Sequence, residues 1–117
     1  IKGFDIPYLL KRSVINGVSV PSKLHLQKLK PWENCLLDTH DIWKFGGWNG
    51  ASLSLICDLL NIPSPKETMK AGDVSESYWN GKLQEIKEYC EGDVVATMNV
   101  MLKLAGMEII INEESSF

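Results

Sequence analysis

The stretch that most constrains this chain lies near its end: KLQEIKEYCEGDVVATMNVMLKLAG. Apolar residues recur there every three or four positions: Leu83, Ile86, Cys90, Val94, Met98, Met101 or Leu102, and Ala105. That period marks an amphipathic helix, and Gly106 is a natural stop for it. The reading is one long helix from about Leu83 to Ala105, buried along that stripe. Tyr89 and Asp93 stand four apart within it, so they share a face, beside the stripe rather than on it. A phenol can hydrogen-bond a water, and a carboxylate can hold Mg²⁺. Together they suit the positioning of a metal-bound nucleophile. The spacing alone does not make a site, because a Tyr and an Asp one turn apart arise by chance in many helices.

The rest of the chain reads as shorter elements. IPYLLKRSVING has Ile6, Leu9, Leu10 and Val14 at helical spacing, with Pro7 in the first turn and Asn16-Gly17 as the stop. VSVPSKLHLQKLK is extended or an edge strand, since Pro21 cannot donate to a ladder. WENCLLDTHDI has the look of a buried strand ending in an acid. FGGWNG is a loop. ASLSLICDLLNI is a compact helix with Ser52 as N-cap, Leu53, Ile56, Leu59 and Leu60 as its buried stripe and Pro63 as terminator. PSPKETMKAGD is a loop. VSESYWNGK is a short helix capped by Ser75 or Asp73 and ending near Gly81. EIIINEESSF adds a brief strand and a polar tail. Four helices thus stand against one or two strands. A lone strand cannot satisfy its ladder groups, so either the fold is mostly helical or its sheet lies upstream of Ile1.

Bulk properties exclude little. The chain has 117 residues, enough for one modest core. Its 44% hydrophobic and 23% charged residues are ordinary globular usage. No apolar run approaches the roughly 20 residues needed to span a bilayer, and charge and proline interrupt the start where a signal peptide would be apolar. A net charge of −3 gives no overall pull toward nucleic acid. Cys35, Cys57 and Cys90 are far apart and form no C-x-x-C pair. They read as reduced thiols of a cytoplasmic protein rather than a disulfide frame or zinc cluster.

Two segments carry a resemblance. GFDIPYLLKR resembles the second motif of the DEDD-type 3'-5' exonucleases, F-D-x-P-x-L, which sets an Asp at a helix start. EYCEGDVVATMNVML resembles their third motif in its tyrosine form, Y-x-x-x-D followed by an apolar helix. Between them, KPWENCLLDTHDIWKFGG, SLSLICDLLNIPSPK and GDVSESYWNGKLQEIKEYCEGDVVAT are similar to one branch. That branch is the predicted bacterial 3'-5' exonucleases related to the proofreading domain of family B DNA polymerases. The similarity runs from Phe4 to about Met107. It implies a ribonuclease H-like α/β fold, of which residues 1–117 form a mostly helical C-terminal portion of a single exonuclease domain. It implies hydrolysis of nucleic acid, DNA in the first instance, from a single-stranded 3' end with two Mg²⁺ or Mn²⁺.

Residue by residue, the resemblance puts Asp5 in the place of the second-motif aspartate, which helps hold the second metal, partly through water. Asp93 takes the place of the third-motif aspartate, a direct ligand of the first metal. Tyr89 takes the place of the tyrosine that orients the attacking water. The stretch around Phe4 would lie near the 3' end of the strand. Gly92 departs from the bulkier residue expected inside a helix and should cost about 1 kcal/mol against Ala.

The DEDD pattern counts four acids, and its first two form a D-x-E pair on the first strand of the sheet. No D-x-E precedes Asp5 here. Asp38 and Asp41 come in the wrong order to replace it, and Asp38 is better suited to capping the next turn. The expectation is a piece of a longer enzyme, inactive alone unless a second chain supplies the missing strands, with exposed apolar surface that favours self-association. Other features read more plainly. Lys23, Lys28, Lys30 and Trp32 can line a strand groove but suit a solvated loop. Trp43, Phe45 and Trp48 can stack on bases, yet large aromatics are more often partly buried. His25, His40 and Lys66 read as surface residues. The alternative to an exonuclease is a non-catalytic module on the same scaffold that binds nucleic acid or protein.

Overall fold

The computed structural model describes residues 2–24, 33, 36–63 and 69–110. They divide into two units, Ile1–Ile42 and Trp43–Phe117. The described residues hold five α-helices and no strand.

In the first unit, α1 spans Asp5–Ile15. Asp5 in its first turn and Arg12 in its last complement the helix dipole. Pro7 is tolerated in the first turn, where its missing N–H has no intrahelical partner. The Asn16 amide donates to the Arg12 carbonyl and the Gly17 amide to the Val14 carbonyl, closing the helix, and Gly17 leaves it at φ +65°. The expected apolar stripe of α1 is only partly covered. Ile6 is buried and Leu10 half-buried, while Leu9 and Val14 are exposed. Ser22–Leu24 form a single 3₁₀ turn.

The strand expected in WENCLLDTHDI does not form among its described residues. Leu36 and Leu37 belong to no ladder, Leu37 is exposed, and a fifth helix, α2 (Thr39–Trp43), follows at once. Asp38 explains the break. Its Oδ1 accepts from the His40 amide at 2.9 Å, and its carbonyl accepts from the Ile42 amide at 3.0 Å. An aspartate bound this way is an N-cap, which ends extended backbone and starts a helix. Its Oδ2 also accepts from the Lys2 amide at 3.0 Å, tying the start of α1 to that cap.

The second unit is built around α5, Leu83–Leu104, with α3 (Leu53–Leu59) and α4 (Val74–Trp79) packed against it. Ser52 caps α3 as expected, accepting from the Leu55 amide at 3.2 Å. Asp73 precedes α4 but does not cap it; its carboxyl accepts from the Lys70 amide at 3.1 Å instead, bracing a 3₁₀ turn at Ala71–Asp73. The core is Ile56, Cys57, Ile62, Ala96 and Val100, with Trp43, Leu60, Leu104 and Ile109 against it. α3 buries Ile56 and Cys57 and packs Leu53 and Leu60 against the core, as the stripe read from the sequence implies, but it leaves Leu59 exposed.

α5 runs unbroken through Gly92 and ends at Ala105, with Gly106 at φ +70°. Its buried face also differs from the expected one. Ala96, Asn99 and Val100 are buried, whereas Leu83, Cys90, Val94 and Met98 are exposed. After α5 the chain returns along the helix, held where the Asn99 amide pairs with Ile110. No helix among the described residues is long and apolar enough to cross a membrane.

Candidate active site

Tyr89 and Asp93 lie one turn apart in the middle of α5. The helix runs eleven residues past Asp93 before its cap, so neither residue sits in a fraying end. Asp93 is exposed and Tyr89 half-buried. Tyr89 falls on the covered side, in register with Gly92, Ala96 and Val100. Asp93 falls at the margin between that side and the exposed apolar stripe of Cys90 and Val94. Its surroundings include α3. Burial pushes the Cys57 thiol above its ordinary range, and the negative charges of Asp58 and Asp93 push it further. The sequence carries no periodic signal for the nearness of Asp93 to this thiol. It follows from packing α3 across α5.

In the first unit, Asp5 is the first residue of α1 and is exposed. Phe4, just before it, is exposed and stacks on Tyr8, with ring centroids 5.8 Å apart and planes 13° from parallel. The Phe4 carbonyl accepts the Tyr8 amide at 2.9 Å as the first helical bond. Lys2 reaches Asp41 at 3.4 Å in an exposed ion pair. Asp38 is the most perturbed acid. Burial pushes its carboxyl upward, but the bonds donated by the Lys2 and His40 amides help bring it down to about 2. It is a structural cap.

Among the described residues no three His, Cys, Asp or Glu side chains gather closely enough to hold a metal ion. An open pocket of about 250 Å³ is lined by Asp73, Glu76 and Glu85, with Lys82 among them; neither Tyr89 nor Asp93 lines it. Lys82 pairs with Glu85 at 3.5 Å. Other readings meet the structure unevenly. Trp43 is half-buried against the core, but Phe45 and Trp48 are almost fully exposed, so the expected burial of these aromatics is corrected for two of the three. His40 and Lys23 are surface residues. His25, Lys28, Lys30, Trp32, Cys35 and Lys66 lie outside the described residues.

The pattern that defines a family of predicted 3'-5' exonucleases related to the exonuclease domain of PolB matches residues 1–116. The chain belongs to this family. No curated protein and no solved structure matches the chain. Membership makes the chain exonuclease-related, and nucleic acid is the substrate class that goes with it. The match spans both units, so it takes in Asp5 and Phe4 as well as Tyr89 and Asp93.

Proposed function

We propose that these residues are the C-terminal portion of a ribonuclease H-like exonuclease domain that removes nucleotides, DNA first, from a single-stranded 3' end. The observation that carries the reading is Tyr89 and Asp93 one turn apart on an uninterrupted helix, within a chain matched end to end by the exonuclease family. In this reading Asp5 and Asp93 hold the metals, Tyr89 orients the water and Phe4 lies against the terminal nucleotide. Bound Mg²⁺ or Mn²⁺ supplies the charge that activates water and stabilises the leaving oxygen. The chain's own groups do the positioning. Asp93 projects from a fixed helical backbone rather than a loop. Tyr89 is clamped by partial burial, which limits its rotamers and aims its hydroxyl. Asp5 stands in the first turn of α1, where the helix dipole favours an anion.

Two carboxylates are too few for two divalent cations. D-x-E occurs nowhere in these 117 residues, so the first pair of acids comes from elsewhere and this stretch alone does not cut. The exposed apolar residues Leu9, Val14, Leu83 and Val94 support self-association of the stretch on its own, which light scattering at two concentrations checks. The free thiols of Cys57 and Cys90 are in keeping with a bacterial cytoplasm.

The test is Mg²⁺- or Mn²⁺-dependent trimming of 3'-labelled and 5'-labelled single-stranded oligonucleotides. This chain is run beside a longer protein that adds the D-x-E strand, each with and without Asp93→Ala. The expected result is 3'-end trimming by the longer protein alone, abolished by Asp93→Ala. Trimming by neither protein at any metal concentration overturns the enzyme reading and leaves a binding module.

A further inference from the structure

Phe45 and Trp48 stand almost wholly in water, at 78% and 96% exposure. Lone exposed aromatics are common on protein surfaces. These two differ, because they are three residues apart on a constrained turn. The Gly47 amide donates to the Lys44 carbonyl at 2.8 Å and closes it. The central residues, Phe45 and Gly46, have φ of +47° and +82°. Positive φ at both positions marks the mirror-image turn that glycine and asparagine favour. Phenylalanine is a poor choice there, and a bulky residue keeps such a conformation only when its surroundings impose it. Gly47 is confined as well, since a Cβ at that position would meet the Lys44 carbonyl at 3.1 Å. The turn is anchored on both sides, by Trp43 and by Ala51, which pack against the core. Two rings are therefore held out from a short, fixed turn instead of folding back onto the apolar surface beneath.

The charge around them is selective. The chain carries 15 acids against 12 bases, yet from Ile42 to Cys57 the only charged residue is Lys44. No carboxylate lies along that stretch to repel a polyanion approaching this turn. We propose that the turn is a base-stacking platform for single-stranded nucleic acid, with the faces of Phe45 and Trp48 taking unpaired bases. Aromatic faces suit this task because every base has a π-face, so stacking tolerates any sequence. The proposal rests on the exonuclease reading above for its choice of ligand.

The test is fluorescence anisotropy of a fluorescein-labelled oligothymidylate with the 117-residue chain in EDTA, so that binding is read without cleavage. Trp48→Ala is expected to weaken binding by about fivefold to a hundredfold, and Trp48→Phe to keep most of it. Phe45→Gly relieves the strained backbone, so it should raise the melting temperature while binding falls. An oligonucleotide of the same length with abasic sites should bind the wild type as weakly as the intact one binds Trp48→Ala. Equal affinity of wild type and both variants overturns the platform and leaves the exonuclease reading untouched. Absence of oligonucleotide binding by the wild type also overturns the platform. The trimming assay on the longer protein then decides separately whether the nuclease reading falls too.

Discussion

Asn99 offers a stringent check on how α5 is held. It is 2% exposed, and its side chain makes two bonds to one residue. Its Nδ2 donates to the Ile110 carbonyl at 3.1 Å, and its Oδ1 accepts from the Ile110 amide at 2.9 Å. An asparagine side chain thus does for Ile110 what a neighbouring strand would do. Asn99→Leu is close in volume and removes both bonds. Each is worth about 1 kcal/mol net, and Ile110 is 47% exposed, so water recovers part of what its backbone groups lose. The added apolar burial of leucine offsets a little more. The expected cost is therefore below that of the two bonds together, about 1 to 1.5 kcal/mol. Asn99→Asp should cost more at neutral pH, because an acceptor oxygen then faces the Ile110 carbonyl in a buried position. That penalty should shrink on acidification, as a protonated carboxyl can donate again.

Urea unfolding followed by circular dichroism reads these costs. For an m-value between about 1 and 2 kcal/mol/M, Asn99→Leu should lower the midpoint by about 0.5 to 1.5 M. Val100→Ala is the control for apolar packing, since Val100 is fully buried in the next position. It should cost about 2 kcal/mol through lost burial and a cavity. A midpoint for Asn99→Leu at or above wild type, with Val100→Ala destabilised, would refute the argument that the Ile110 pairing stabilises the unit.

Two further outcomes follow from perturbed titrations. Asp38 has its folded pKa depressed to about 2 from 3.8, so its contribution is present above about pH 4 and lost as pH falls toward 2. Asp38→Asn, whose amide nitrogen would face the Lys2 amide donor, should cost at most about 2 kcal/mol at pH 7; urea melts should show the gap closing between pH 4 and 2, and a constant gap rejects the assignment. The Cys57 thiol is raised first by burial and then by Asp58 and Asp93, so Asp93→Asn should lower it. Titration of the Cys57 thiolate by its ultraviolet absorbance in a Cys35→Ser, Cys90→Ser background should then show a lower midpoint with Asp93→Asn, and an unchanged midpoint would deny that Asp93 lies near α3.

Local chemistry was the legible part. Ser52, Asp38, Gly17 and Gly106 each announce a helix boundary through a cap or a positive φ, and each does so where the structure has one. These signals act within a few residues and need no partner element. The failures needed one. Leu36 and Leu37 read as strand because they form an apolar run, but a strand exists only with a neighbour to pair with, and Asp38 commits the backbone to a helix first. Phe45 and Trp48 read as partly buried because large aromatics usually are. A turn with two positive φ values points them outward instead, and composition does not encode that.

The misread face of α5 bears most directly on the site. The helix carries two apolar stripes, and periodicity selected the one with the larger side chains, Leu83, Cys90, Val94 and Met98. The structure buries the other, where Ala96 and Val100 share the core with Ile56 and Cys57 of α3. A helix apolar on two sides suits cover on both, and here one side has none among the described residues. Asp93 lies at the margin between the two stripes. On the proposed ribonuclease H-like fold, that is where a carboxylate must stand if a sheet is to cover the second stripe and still leave the acid open to substrate. The same margin explains why Tyr89 is half-buried and Asp93 exposed although they share a face. On the proposed reading, packing would hold the Tyr89 hydroxyl in one direction, while solvent access would leave the Asp93 carboxylate open to a metal ion.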